Sequence, residues 1–208
     1  MNAVCGFKTA FFLVLFYFFI MPTAFSQGVP LDPVSVAKVP ASAEEFISLR
    51  DRLGKTPQGG AAVLLLAMII YSNDSTLGEQ CLVLSLDISQ LVEGETYNGY
   101  ALSARDRRLL EKYIGKDSGQ AYLPKSYVSG THREEGYALP AGKLTFHFIT
   151  GKKKKTPDST QVKVFVECSG TDSPRPIIIA RNSKGIWKAV NWRSLVISIK
   201  PPPVQDDL

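Results

Sequence analysis

The sequence predicts an α+β domain in which N-terminal helices pack on a C-terminal antiparallel sheet of about four or five strands. Three observations predict it. Segments with helix-capping signals fill the first half of the chain, short alternating segments separated by turn residues fill the last third, and the run Ala61 to Tyr71 is apolar on every face. A run of that kind offers no polar stripe to water, so it has to be a helix surrounded by other elements. With 208 residues, 45% hydrophobic and 21% charged, the chain has enough apolar side chain for one sizeable core.

Residues 1–26 read as a cleaved secretory signal peptide. A short, weakly basic start precedes the apolar run Ala10 to Met21, and small residues follow before a cleavage point after Ser26. That run is 12 residues long, short of the roughly 20 that a membrane-spanning helix needs. The expected location is therefore the periplasm or the medium. Cleavage leaves Cys81 and Cys168, a possible disulfide in an oxidising compartment or else two free thiols in apolar segments. Residues 27–41 hold three prolines and no helical period, which fits a linker or a strand docked along the surface.

The folded unit is expected over residues 42–202. Ser42 and Glu45 form a capping box that opens a first helix, ended near Leu53 by Gly54. Thr56-Pro57 opens a second, because proline at the first helical position gives up no hydrogen bond. It carries the all-apolar run and breaks at Ser72 to Ser75. The stretch after that fits another helix, or a helix leading into a strand. Val92 to Ala101 reads as a turn-rich connection, and Ser103 caps a helix ending at Gly115, with Leu109, Leu110, Tyr113 and Ile114 on one face.

From Tyr122 the chain is aromatic, Pro- and Gly-rich and without period. Strands are then expected at 143–150, 161–168, 175–181, 185–190 and 195–199, with residues 203–208 as a solvated tail.

Several chemistries find no foothold. His132, His147, Cys81 and Cys168 have no metal-ligand spacing, so neither metal nor cofactor is expected. No nucleophile elbow is present, and a triad would have to recruit His132 with Ser173 or Ser129. Cys168 falls in a strand-like stretch, where a thiol is usually buried and inert. Glu134-Glu135 and Asp206-Asp207 read as solvated surface. The run Lys152, Lys153, Lys154 and Lys155 reads as a soluble hairpin loop, with contact to an anionic surface as the alternative. A net charge of +5 says little about partners, and nucleic acid is not expected for an exported chain.

Two features remain as candidate binding elements. Tyr122, Tyr127 and Tyr137 belong to a cluster on a Gly- and Pro-rich segment, suited to a recognition surface or to a lid over a core edge. The turn Ser169 to Pro176 holds Asp172, Ser173 and Arg175 before an apolar strand. Gly170 and the prolines shape a rigid corner, while the Arg175 guanidinium could clamp Asp172, another carboxylate or an anionic ligand.

Taken together, Glu44-Glu45-Phe46, Tyr122 to Thr131, Ser169 to Ile177, Trp187 and Ser194 to Pro202 resemble a bacterial family known as domain of unknown function 6935. The resemblance spans roughly Ala41 to Pro202, and its most specific element is the D-S-P-R-P turn. It implies a single domain and brings no activity, ligand or catalytic residue with it.

The expected function is that of an exported, non-enzymatic module that binds a protein or a small ligand through the Tyr-rich segment and the turn. The alternatives are a hydrolase-like site near Asp172, Ser173, Arg175 and His132, or a small-ligand pocket in a curved sheet of the nuclear-transport-factor type.

Overall fold

The computed structural model describes residues 28–151 and 160–204. The expected signal peptide, the Lys152–Lys155 run and the last four residues of the chain lie outside the described residues. Helix α1 (Ala43–Leu53) starts at Ser42, whose Oγ accepts from Glu45 N at 3.3 Å. The Glu45 carboxylate reaches back one residue further than a simple capping box requires, accepting from Ala41 N at 2.9 Å.

Helix α2 (Pro57–Asn73) is capped by Thr56 Oγ1, which accepts from Gly59 N at 3.1 Å. Asp74 alone separates it from α3 (Ser75–Ser85), and Asp74 Oδ1 caps α3 through Leu77 N at 3.0 Å. Gly78 makes the pairing of α2 and α3 possible, since a Cβ there would lie 2.1 Å from Tyr71 Cα.

Strands β1 (Val29–Pro30) and β2 (Val34–Val36) come from the segment that fitted either a linker or a docked strand, and both are paired. Their partners are β6 (Phe148–Thr150) and β5 (Leu144–Phe146), which His147 separates. Strands β7 (Gln161–Val166), β8 (Arg175–Arg181) and β9 (Trp187–Asn191) complete an antiparallel five-stranded sheet in the order β1-β6-β7-β8-β9. The protein is thus an α+β fold, with α2 lying on this sheet and the other helices gathered around α2.

Val162, Val164, Val166, Ile177, Ile179 and Ala189 are buried, and α2 packs on β7, β8 and β9. Residues 61–69 of α2 are at most 2% exposed. Each such leucine, isoleucine or methionine contributes about 1.5–3 kcal/mol by leaving water.

Two expectations are corrected. The turn-rich connection is a hairpin, β3 (Leu91–Tyr97) with β4 (Tyr100–Leu102), closed by Asn98 and Gly99 at φ 46° and 82°. Positive φ at both turn residues matches the twist of the flanking strands. The last expected strand is instead a 3₁₀ turn, Arg193–Val196, followed by a strap in which Ser198 sits at φ 58°, outside the strand region. Helix α4 (Ala104–Ile114) begins at Ser103 as expected, and its buried Asp106 accepts from Arg193 Nε at 2.6 Å and Nη2 at 2.8 Å.

Burial, and then Glu111 and Glu79, push the Tyr71 hydroxyl from 10.0 up to about 12. Between those two values the folded chain keeps a proton that the unfolded tyrosine gives up, so stability falls as pH rises through that window. Tyr71→Phe is expected to flatten this alkaline loss in denaturation curves taken across that range. A variant with the slope of the parent chain contradicts the assignment.

Candidate functional site

The segment Ser126 to His132, residue His147 and the segment Glu167 to Pro174 enclose a cleft of about 410 Å³ that opens to solvent. Sheet pairing sets its floor. Glu167 N donates to His147 O at 3.0 Å just past the β6–β7 ladder, which carries Cys168 out of the strand and onto the cleft wall. The thiol stands 3.2 Å from Ser126 Oγ. It is therefore only partly buried, unlike the inert strand thiol that alternation predicts.

The two walls are stitched together. Ser169 N donates to Ser126 O at 2.9 Å, Ser169 Oγ donates to the same carbonyl at 3.0 Å, and Thr131 Oγ1 lies 3.1 Å from Ser169 Oγ. Gly170 lets the C-terminal strap close over the corner, because a Cβ would lie 2.5 Å from Ile199 Cγ2 and 2.8 Å from the Tyr137 hydroxyl.

Of the residues expected in a site, His132, Asp172, Ser173 and Tyr127 line the cleft. Tyr127 does so as a wall: its buried hydroxyl donates to Leu195 O at 2.7 Å, and burial holds it well above the usual phenol range. Tyr137 is fully buried at φ 56°, stacks on Tyr122 with centroids 5.4 Å apart, and donates to Lys200 O at 2.6 Å. The tyrosines thus cover a core edge.

Arg175 clamps neither Asp172 nor another carboxylate. Its Nη2 donates to Ser198 O at 2.9 Å and Ile197 O at 3.4 Å, and its buried Nε has no partner. Asp172 pairs with Lys200 at 2.5 Å. Cys81 and Cys168 are both free thiols, so the possible disulfide is not formed.

His147, Glu167 and Cys168 are the lining residues that sequence reasoning missed. The Ser169-Gly170 turn signal directly after Cys168 was the available clue that the strand had already ended.

Among the described residues, neither imidazole is hydrogen-bonded to a protein group, so no nucleophile–base pair is preformed. Nor do any three His, Cys, Asp or Glu side chains gather closely enough to hold a metal ion. No helix among them is long and apolar enough to cross a membrane. What the cleft offers is two free imidazoles, the Glu167 carboxylate, the Lys200-paired Asp172 carboxylate, a thiol and hydroxyls, a set suited to hydrogen-bonding a small molecule.

The two thiols differ in setting. Burial, and then Asp74, push the Cys81 thiol up to about 12. Cys168 is expected to alkylate in a brief iodoacetamide pulse on the native protein, with Cys81 protected until unfolding. Peptide mapping reads the outcome, and equal labelling of both contradicts it.

Fold and cleft define an α+β domain with an open cleft, dotted with polar side chains, at one end of its main sheet. The chain belongs to the family described as Domain of unknown function (DUF6935), whose model matches residues 38–203. No curated protein and no solved structure matches the chain.

Proposed function

We propose that this protein is a non-enzymatic binding module that takes a small polar ligand in the cleft between Ser126–His132 and Glu167–Pro174. One observation carries the reading. The chain has 2 histidines, 15 positions apart, and both line this one cleft, together with Cys168, Glu167 and Asp172. A cleft of about 410 Å³ falls within the range of small-ligand sites. The hydroxyls of Ser126, Thr131 and Ser169 are committed to backbone and to each other, and Asp172 is paired with Lys200, which leaves the two imidazoles and Glu167 to meet a ligand.

The hydrolase-like alternative would need a base joined to a nucleophile, and the Cys168 thiol faces a serine hydroxyl instead. A pocket between helices and a curved sheet draws no support from α2, whose residues 61–69 are at most 2% exposed. The signal-like N-terminus supports a site of action outside the cytoplasm. A mature chain beginning at Gln27 in the exported fraction is the expected product, and recovery of only the intact chain from the cytoplasm contradicts it.

The ligand reading is tested by titrating the protein with a panel of amino acids, sugars and small carboxylic acids while recording the histidine ring signals. A binder is expected to move His132 and His147 together. Ser173→Trp, which puts a bulky ring at an exposed position on the rim, is expected to abolish the shifts without altering the melt. Binding that moves neither histidine, or that survives Ser173→Trp, overturns the reading.

A further inference from the structure

At the other end of β8 lies a second cavity of about 360 Å³, between the C-terminal end of α1 and the β8–β9 hairpin. Arg50, Lys55, Lys184 and Lys188 line it against one carboxylate, Asp51. That carboxylate is already taken, since Asp51 Oδ1 accepts from Arg50 Nε at 2.9 Å and pairs with Nη2 at 2.8 Å. Among the described residues, Lys55, Lys184 and Lys188 have no counter-ion and no acceptor for their ammonium groups. The carboxylate that bears most on Lys188 is Asp87, outside the cavity, whose Oδ1 is engaged by Ser89 N at 3.0 Å and Ser89 Oγ at 2.7 Å.

Lys188 is half-buried on β9, and burial followed by Arg50 lowers the affinity of its amine for a proton. A cation drawn partly out of water beside another cation is costly unless an anion joins it. The C-terminal dipole of α1 does not account for the whole cluster. Arg50 and Arg52 already stand in the last turn of that helix, whereas Lys184 and Lys188 come from a different element. The hairpin tip is also fixed in place. Asn182 Oδ1 accepts from Lys184 N at 3.0 Å and Ile186 N at 2.9 Å, and Gly185 takes φ 76°. This rigid turn holds the exposed Ser183 hydroxyl, which has no protein partner, at the rim among the lysines.

We propose that this cavity binds a small oxyanion of the phosphate class, with Lys188 and Arg50 at its base and Lys55, Lys184 and the Ser183 hydroxyl closing around it. Several ammonium groups and a hydroxyl converging on one concave spot match the many acceptor lone pairs of a phosphate. The site is independent of the histidine-lined cleft. The seven residues of β8 separate the two by roughly 20 Å at the rise of an extended strand.

The test is calorimetric titration of the full chain with inorganic phosphate at constant ionic strength, set beside amide spectra. Saturable binding that moves the amides of Ser183, Lys184 and Gly185 is expected. Lys188→Gln is expected to weaken it by about tenfold or more, the loss of one charge-assisted hydrogen bond. Because Lys188 is half-buried, Lys184→Gln at the exposed turn serves as the second variant; it has to weaken binding with the melt unchanged.

A soluble phosphomonoester and phosphatidylglycerol vesicles, with phosphatidylcholine vesicles as the neutral reference, separate a free ligand from a lipid headgroup. Either one binding with loss in both variants upholds the site. Absence of saturable binding to phosphate, phosphomonoester and vesicles alike overturns it, as do equal affinities in the variants or shifts confined to the histidine-lined cleft.

Discussion

Arg193→Met is expected to lower the unfolding free energy by about 3–5 kcal/mol, because it strands a buried carboxylate without its partner. Asp106 is 1% exposed and holds Arg193 through two short bonds, leaving only Ser103 Oγ, which donates to Oδ2 at 2.9 Å. The pair ties the start of α4 to the 3₁₀ turn after β9, so the cost falls on the docking of that helix.

Asp106→Asn is expected to cost less. Its partner, Arg193, is 37% exposed in its side chain and can turn to water. Replacing both at once, Asp106→Leu with Arg193→Met, should recover much of the single-variant loss, since two apolar groups can fill the space that the ion pair occupied. Chemical denaturation of the three variants reads this ordering. A double variant as unstable as Arg193→Met alone, or more so, contradicts the view that the stranded charge is the main cost.

Gly78→Val is expected to cost about 3 kcal/mol, the upper end for overpacking, because what the new side chain meets is backbone. The ideal Cβ lies 2.1 Å from Tyr71 Cα and 2.4 Å from Tyr71 N. Helix α2 would have to move away from α3 along their shared face. Helix propensity pulls the other way, since glycine inside a helix is about 1 kcal/mol worse than alanine. Gly78→Ala therefore gives a clean sign: a loss is expected from close packing, and a gain would show that the helices can separate cheaply.

The helical half of the fold was written in local signals. Ser42, Thr56-Pro57 and Ser103 each mark a helix start that the structure places there, and an apolar run without a polar face could only be central. The β3–β4 hairpin escaped because no residue of β3 is fully buried and only Ala101 and Leu102 of β4 are, so the apolar alternation that marks a half-buried strand is weak. Asn98-Gly99 was the signal in plain view. The segment Leu195 to Ile199 alternates like a strand, yet side chains from elsewhere take up the backbone there. Arg175 holds the carbonyls of Ile197 and Ser198, Tyr137 holds that of Lys200, and Arg133 Nε donates to Pro201 O at 2.5 Å.

The cleft was half readable for a related reason. Asp172, Ser173 and His132 stood out because they sit on loops with turn chemistry. His147, Glu167 and Cys168 join them only through the pairing of β6 with β7, a contact between segments about 20 residues apart that no local pattern encodes. Arg175 shows the converse. A guanidinium between two prolines looked free for a carboxylate or a ligand, and it serves backbone carbonyls that only the folded strap brings near.

Blocking the cleft from within shows whether it is where this protein meets its ligand. Cys168 lines the cleft and is partly exposed, whereas Cys81 is fully buried, so N-ethylmaleimide on the native protein should place one adduct in the cleft. The measurement is the shift of the His132 and His147 ring signals by any binder from the small-molecule panel, before and after that adduct forms. Both signals are expected to move together before it forms and neither after it. Binding that persists unchanged on the alkylated protein, with Cys168 verified as the modified residue, would contradict it.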